Sequence, residues 1–169
     1  MANSAVTLRP ATADDTDAIV RLNALEVPLV SAMDAERLSL LTSWADRLTV
    51  AEVDGRFAGF VMTFGPDTPY DSANYRWFVD HFGTAFYYLD RVAVEPTMRR
   101  RGVAAAIYDE VESVAAAYGR LALEVNIDPP NEPSLAFHRD RGFVEVGRRG
   151  DPGNQVTMLE LPLTSGALR

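Results

Sequence analysis

The stretch from Tyr88 to Tyr118 constrains the fold of this chain more than any other part. In this stretch a strand-like run is followed by a basic turn and then by an amphipathic segment. Residues 86–94 form a short apolar run that favours a strand, and Pro96 interrupts it. Residues 99–102 then read Arg-Arg-Arg-Gly. Apolar side chains recur after this turn at a spacing of three to four residues, typical of a helix with one buried face: Val103, Ile107, Val111, Val114 and Tyr118.

The junction between this turn and the helix is suited to an anion. The first N–H groups of a helix have no partner within the helix, and they lie at the positive end of its dipole. Gly102 and the small residues 104–106 allow a ligand to approach the backbone closely. An anion gains about 0.3–2 kcal/mol from the dipole and about 1.5–3 kcal/mol from each charge-assisted hydrogen bond. A phosphate or pyrophosphate is the expected guest, and the alternative is a plain turn with solvated arginines.

Two sequence blocks resemble signatures of the GNAT-type N-acetyltransferases. Residues 99–104 fit the pattern Gln/Arg-x-x-Gly-x-Gly/Ala, which in that family holds the pyrophosphate of acetyl-coenzyme A. Residues 131–143 resemble the second pattern, Asn-x-x-Ala/Ser-x-x-Leu/Phe-Tyr-x-x-x-Gly-Phe, in which Asn131 and Ser134 match and His138 replaces the family's tyrosine. The chain has neither the Gly-x-x-x-x-Gly-Lys-Ser/Thr run nor a Gly-x-Gly-x-x-Gly after a strand, the signatures of other phosphate-binding loops.

The resemblance implies acetyl-coenzyme A (acetyl-CoA) as the cofactor, bound by the strand end, the basic turn, the first helical turn and the second block. The residues expected to contact it are Val92, Ala93, Val94, Arg99, Arg100, Arg101, Gly102, Val103, Ala104, Ala105, Asn131, Ser134 and His138.

Composition limits the other classes of function. The chain has 169 residues, which suits one domain over residues 1–169. Its net charge of −8 argues against non-specific nucleic-acid binding. It has no cysteine and two histidines, so we expect no disulfide, no thiolate nucleophile and no metal site. No signal peptide or membrane-length apolar run is evident, so we expect a cytoplasmic protein without membrane partners, and a homodimer is compatible with the family.

The order of predicted elements is β-α-α-β-β-insertion-β-α-β-α-β-β, which matches the GNAT fold. We therefore expect an α/β protein with a mixed central sheet of about seven strands and about four flanking helices. A first helix over Asp14–Glu26 is expected to bury Ala18, Leu22 and Leu25. A second helix is expected over Asp34–Arg47, and Asp54-Gly55 predicts a hairpin turn.

The aromatic insertion at residues 65–83 has two interpretations. It is either a functional lid, with a short helix in its latter half, or an aromatic patch that packs against the sheet or a partner subunit. Family substrate pockets are built from the first helices and this insertion. The residues expected to contact the acceptor are Glu26, Ser31, Tyr75 and Trp77, and Asp71 and Asn74 are further candidates.

The reaction that the family implies needs a base. A primary amine has a pKa of about 10.4, so only about one molecule in a thousand is neutral near pH 7. Strand alternation places Tyr88, Asp90, Val92 and Val94 on one face. Asp90 is the first candidate for the base and Glu124 a weaker one. Tyr88 is expected to orient substrate or donate a proton, or simply to pack in the core.

Two further roles complete the expected site. The N–H of Val92 is the candidate donor to the reacting carbonyl oxygen. His138 is a candidate acid for the departing thiol, a cofactor contact, or a histidine on the helix surface.

The leading hypothesis is an acetyl-CoA-dependent N-acetyltransferase that acts on a small amine or on a peptide or protein amino group. The alternative is a non-catalytic module that binds acyl-CoA as a sensor or partner. A third hypothesis is the transfer of another acyl group to a hydroxyl or amine.

Overall fold

A seven-stranded mixed sheet forms the centre of the computed structural model, which describes residues 5–164. The strands are β1 (Val6–Pro10), β2 (Arg47–Val53), β3 (Arg56–Phe64), β4 (Tyr87–Val94), β5 (Arg120–Asp128), β6 (Val144–Asp151) and β7 (Asn154–Pro162). Their spatial order is β1-β2-β3-β4-β5-β7-β6. All neighbours are antiparallel except β4 and β5, which pair in parallel across the helical crossover between them. The predicted mixed sheet of about seven strands is confirmed.

Helices cover both faces of the sheet. They are α1 (Thr16–Glu26), α2 (Ala35–Trp44), α3 (Ala73–Phe82), α4 (Val103–Ala115) and α5 (Glu132–Arg141). Buried side chains of α1, α2 and α3 share one hydrophobic core with the sheet, and those of α4 and α5 belong to a second core on the opposite face. Residues 5–164 contain five α-helices, which are the four flanking helices that were predicted and the short helix of the insertion, α3. None of the helices between residues 5 and 164 is long and apolar enough to cross a membrane.

Several local signals produce the predicted structure. Asp54 and Gly55 both adopt positive φ angles, of 51° and 77°, and close the β2–β3 hairpin. The Asn131 side chain accepts a hydrogen bond from the N–H of Ser134 and caps α5. Gly142, with a φ of 97°, ends that helix.

The buried face of α1 agrees with the prediction only in part. Leu22 is buried as predicted. Ile19 and Asn23 complete the buried face, and Ala18 is half-buried. Leu25, in contrast, is 58% exposed, so the prediction for Leu25 was wrong. The reason is that Asn23 is buried although it is polar, because its amide donates to the carbonyl of Ser31 and accepts from Arg91. A hydropathy pattern favours Leu25 and cannot detect such a pairing.

The aromatic insertion packs on the sheet. Ser72 caps α3, and Tyr75 and Phe78 are fully buried in the core on this face of the sheet. The Tyr75 hydroxyl donates to the carbonyl of Gly65 at 2.6 Å. The prediction of a short helix is confirmed, and the aromatic residues of α3 belong to the core.

Strands β4 and β5 separate along their length. They are paired only at Tyr87–Leu121 and Tyr88–Ala122, near their N-terminal ends, and a gap opens beyond those pairs. On its other side β4 has a β-bulge, because Thr63 pairs with Leu89 and Met62 pairs with Arg91. A bulge leaves one residue unpaired and shifts the side chains that follow to opposite faces.

The bulge at Asp90 corrects the predicted alternation of β4. Arg91 faces the side of α1 and α2, where it contacts Asn23, and Val92 packs in the core on the α4 side. Tyr88 and Val92 therefore lie on opposite faces of the sheet. The prediction that they share a face was wrong because strict alternation assumes an unbroken ladder.

Candidate active site

The gap between β4 and β5 opens into a cleft of about 540 Å³. Its walls come from the loop between α1 and α2, the segment leading into α3, the diverging strands, the facing sides of α4 and α5, and the β6–β7 hairpin. Most of the groups that line it are polar, including Asp90, Glu124, His138 and Arg149. The cleft is thus lined from both sides of the sheet, the side covered by α4 and α5 and the side covered by α1, α2 and α3.

The basic turn leads from β4 into α4 beside this cleft. Gly102 precedes α4 with a φ of 80°, and no side chain caps the helix there. The first N–H of the helix with a backbone acceptor is that of Ala106, which donates to the carbonyl of Gly102 at 3.0 Å. A Cβ at Gly102 would meet no atom within 4 Å. The N–H groups of residues 103–105 are therefore uncapped and open to a ligand.

The arginines of the turn are exposed. Arg99 pairs with Glu26 at 3.2 Å, and Glu26 lines the cleft. This contact connects the turn to the wall of the cleft, although the turn itself lies outside the cavity lining. Positive charge and unpaired N–H groups thus meet at the mouth of the cleft.

His138 lies at the cleft wall in a defined tautomer. Its Nδ1 is 2.7 Å from the carbonyl oxygen of Ser134, and its Nε2 is 2.6 Å from the hydroxyl of Tyr108. Because a carbonyl oxygen only accepts, the neutral ring carries its hydrogen on Nδ1, and Nε2 accepts from Tyr108. Burial lowers the pKa of His138 below its ordinary value of 6.5, so the ring is neutral at physiological pH.

Glu124 lies deep in the cleft on β5. Both of its carboxylate oxygens accept from the hydroxyl of Tyr88 at 2.7 Å. Burial, and then the nearby charge of Asp90, raises the pKa of Glu124 to about 8, whereas hydrogen bonds from Tyr88 and Asn74 oppose the rise. Glu124 is thus a carboxylate that exchanges a proton near neutral pH and remains accessible from the cleft.

Asp90 has a different environment. Its Oδ2 accepts from Nε of Arg91 at 2.7 Å, and its Oδ1 accepts from the hydroxyl of Tyr70. The two charged side chains are only 5% and 6% exposed. Arg91 continues the network by donating to Asn23 and to the carbonyl of Ser31, each at 3.1 Å. This ion pair fastens the loop between α1 and α2 to β4.

Some of the residues predicted for the site line the cleft and others do not. Those that line it are Glu26, Ser31, Asp71, Asn74, Asp90, Val92, Glu124, Asn131, Ser134 and His138. Tyr75 is buried in the core and Trp77 packs against Gly147, so neither reaches the cleft, which corrects their assignment to the acceptor site. Ala93 and Val94 pack in the two cores and also lie outside the cleft wall. Tyr88 is fully buried and does not line the cleft, and its hydroxyl donates to Glu124.

Three residues at the site carried no sequence signal that singled them out: Tyr70, Tyr108 and Arg149. Tyr108 directly follows Ile107 of the predicted apolar stripe, and its bond to His138 depends on how α4 and α5 pack. Arg149 was assigned no role from the sequence. Its proximity to Asn74, at 2.5 Å from Nη1 to Oδ1, depends on tertiary structure.

Comparison with known proteins agrees with this geometry. Residues 17–143 match the model of the acetyltransferase (GNAT) family. A curated relative, the L-2,4-diaminobutyric acid acetyltransferase of Nocardia farcinica, is 37% identical over 109 residues. The match spans 64% of this chain and 45% of that relative.

Solved structures share the fold at low sequence identity. Ard1 from Thermoplasma volcanium superposes with a TM-score of 0.74 at 17% identity, covering 95% of this chain and 99% of that one. A phosphinothricin acetyltransferase from Sinorhizobium meliloti, solved in complex with acetyl-CoA, superposes with a TM-score of 0.71 at 18% identity. That superposition covers 97% of this chain and 91% of that one.

Proposed function

Because the chain belongs to the acetyltransferase (GNAT) family and is therefore an acyltransferase, we propose that it transfers the acetyl group of acetyl-CoA to an amine by direct attack in a ternary complex. The observation that carries this proposal is Glu124. It is a carboxylate in a cleft between diverging strands, and its pKa of about 8 matches the task of taking a proton from an ammonium group.

The residues present fit the acetyl donor. Bound acetyl-CoA would supply the acetyl group as an activated thioester. The arginines of residues 99–101 and the uncapped N–H groups of residues 102–105 would hold its diphosphate. Asn131 and Ser134, both at the cleft wall, would contact the pantetheine arm. The gap between β4 and β5 leads from there toward Glu124.

Glu124 would act as the general base. It accepts the proton that the ammonium group must lose, directly or through one water molecule, so that the nitrogen lone pair can form the new C–N bond. As the C–S bond breaks, its electron pair leaves with the sulfur. Tyr88 holds Glu124 in place with its hydroxyl, and burial together with the Glu124 charge keeps the pKa of that hydroxyl well above its usual value.

Backbone and side-chain donors would assist the other atoms. Beyond Tyr88, the edge of β4 that faces β5 has no ladder partner, and the N–H of Val92 is our candidate donor to the thioester carbonyl oxygen. A thiol has a pKa of about 8.5, so the thiolate leaves without complete proton donation. With His138 neutral, the hydroxyl of Tyr108 is the O–H donor of that pair, and we propose that this hydroxyl turns to donate a hydrogen bond to the departing thiolate, which takes its proton from solvent.

Asp90 would have a positioning role rather than that of the base. Its carboxylate is held in a buried ion pair with Arg91, whereas Glu124 accepts from the neutral hydroxyl of Tyr88 and has no cation within 4.0 Å in the described chain. Asp90 was the first candidate for the base in the sequence analysis, and these contacts favour Glu124, the weaker candidate, instead.

The acceptor is an amine. The relative from Nocardia farcinica is named for L-2,4-diaminobutyric acid, so that compound is the first acceptor to assay, followed by polyamines and peptide N-termini.

The test is Glu124→Gln, which keeps the shape of the side chain and removes its basicity. Turnover should fall by about 10²–10⁴-fold, the usual contribution of a general base. In the wild-type protein, kcat should fall as the pH drops through about 8, because Glu124 becomes protonated, and the variant should lack this limb. The release of free thiol from acetyl-CoA in the presence of an amine measures both effects.

The matched control is Glu36→Gln, the same chemical change at an exposed glutamate near the start of α2. It should leave turnover and its pH dependence unchanged. Wild-type turnover in Glu124→Gln would exclude Glu124 as the base. Binding of acetyl-CoA without thiol release for any amine would instead support the non-catalytic sensor.

A further inference from the structure

Among the charged residues that line the cleft, Arg149 and Glu124 form no ion pair within residues 5–164. Arg37 and Arg91 each face a carboxylate, Asp71 at 2.6 Å and Asp90 at 2.7 Å. Arg149 has no carboxylate within 4.0 Å among residues 5–164. The only hydrogen bond of its side chain in that part of the chain is the one from Nη1 to Oδ1 of Asn74. Most of its N–H donors are therefore available to a ligand.

Glu124 is the complementary group. No cation lies within 4.0 Å of it in the described chain, and the hydrogen bond that it accepts comes from the neutral hydroxyl of Tyr88. Asn74, which lines the same cleft, accepts from Arg149. Arg149 and Glu124 thus line one cleft, and the positive charge of Arg149 partly opposes the rise that burial causes in the pKa of Glu124.

The β6–β7 hairpin holds Arg149 at this position. Arg149 pairs with Val156 across the hairpin, and Arg149, Gly150, Asn154 and Val156 all line the cleft. The neighbouring Arg148 lies on the other face of β6, where its Nε contacts Glu145 at 3.0 Å. Strand alternation therefore directs one arginine of the pair into the cleft and the other toward solvent.

We propose that the acceptor carries a carboxylate as well as the reacting amine, and that Arg149 is the residue that recognises this carboxylate. The proposal rests on the proposed acetyltransferase function. Arginine binds a carboxylate through two parallel N–H···O bonds, and such charge-assisted bonds are stronger than neutral ones. With the carboxylate on Arg149, an amine a few atoms away along the acceptor can reach Glu124. An amino acid with an amine on its side chain is the class that satisfies both contacts.

The test compares two acceptors that differ only by the carboxylate, L-2,4-diaminobutyrate and 1,3-diaminopropane. The wild-type protein should prefer the amino acid. Arg149→Gln should raise the KM for diaminobutyrate by about 10–100-fold, the loss expected for a charge-assisted contact. It should leave the KM for diaminopropane unchanged. Arg149→Lys should restore part of the affinity, because it keeps the charge and loses the paired geometry.

The matched control is Arg148→Gln, which removes the adjacent arginine of the same strand and should change neither KM. Calorimetric titration of diaminobutyrate into protein saturated with coenzyme A gives a readout without turnover, and Arg149→Gln should weaken that binding by a similar factor. Equal use of the two acceptors by the wild-type protein would overturn the proposal, as would an equal loss for both in Arg149→Gln. Acetylation of other amines but of neither test compound would overturn it while leaving the acetyltransferase function standing. No acetylation of any amine would overturn both.

Discussion

Two carboxylates in the cleft, Asp90 and Glu124, differ in their neighbours, and this difference determines the role of each. Asp90 forms a buried ion pair with Arg91, whereas Glu124 accepts from the hydroxyl of Tyr88 and has no cation within 4.0 Å in the described chain. Burial raises the pKa of Glu124 to about 8, which suits a base, and Asp90 has the contacts of an anchor.

If Asp90 is an anchor, Asp90→Asn should destabilise the fold, because the buried Arg91 charge then lacks its counter-ion. Removal of one partner of a buried pair costs about 3–5 kcal/mol of unfolding free energy. Urea denaturation followed by circular dichroism measures it. Asp71→Asn breaks the more exposed pair with Arg37 and should cost about 0–1 kcal/mol. Equal, small losses in the two variants would refute the anchor role.

Single residues also differ in how far sequence predicts them. The position of Gly102 just before a helix was predictable, because the apolar spacing of the residues that follow it is a local pattern. Arg149 and Tyr108 were not predicted, because their partners are 75 and 30 residues away in the chain. Glu124 ranked below Asp90 in the sequence analysis for a similar reason, because its hydrogen-bond partner, Tyr88, is 36 residues away in the chain.

At the scale of elements, the junction of β4 with α4 is the feature on which donor binding depends. The strand, the basic turn and the helix were predicted in order, because strand and helix have different apolar periods. The bulge at Asp90 was not predicted. It arises from the pairing of strands that are distant in sequence, and no local pattern encodes it.

Gly102→Asp tests this junction. The added carboxylate would project where no atom lies within 4 Å, toward the proposed diphosphate, and like-charge repulsion should weaken acetyl-CoA binding by at least about tenfold. Isothermal titration calorimetry with acetyl-CoA measures the change.

Gly119→Asp is the control for this experiment. Gly119 also has a positive φ, of 87°, and an open Cβ position, but it lies beyond the far end of α4. The Gly119→Asp substitution introduces the same strain and the same charge about 20 Å from Gly102, which is the length of a thirteen-residue helix. Affinity should be retained in Gly119→Asp, and wild-type affinity in Gly102→Asp would exclude the junction as the diphosphate site.

At the scale of the whole molecule, the sheet separates two kinds of binding surface. The face covered by α4 and α5 carries the groups that fit the acetyl donor, and the face covered by α1, α2 and α3 carries Arg149, Asn74 and Tyr88. The gap between β4 and β5 connects them, with Glu124 beside it. The order of elements predicted the mixed sheet, whereas the two-sided cleft required the three-dimensional structure.

The crystal structure of the protein bound to acetyl-CoA tests this arrangement most directly. We predict that the diphosphate oxygens lie within hydrogen-bond distance of the N–H groups of residues 102–105. The pantetheine arm should pass between β4 and β5, with the thioester carbonyl on the β4 edge near Val92. Electron density for acetyl-CoA outside this gap, with the N–H groups at the start of α4 solvated, would contradict the account.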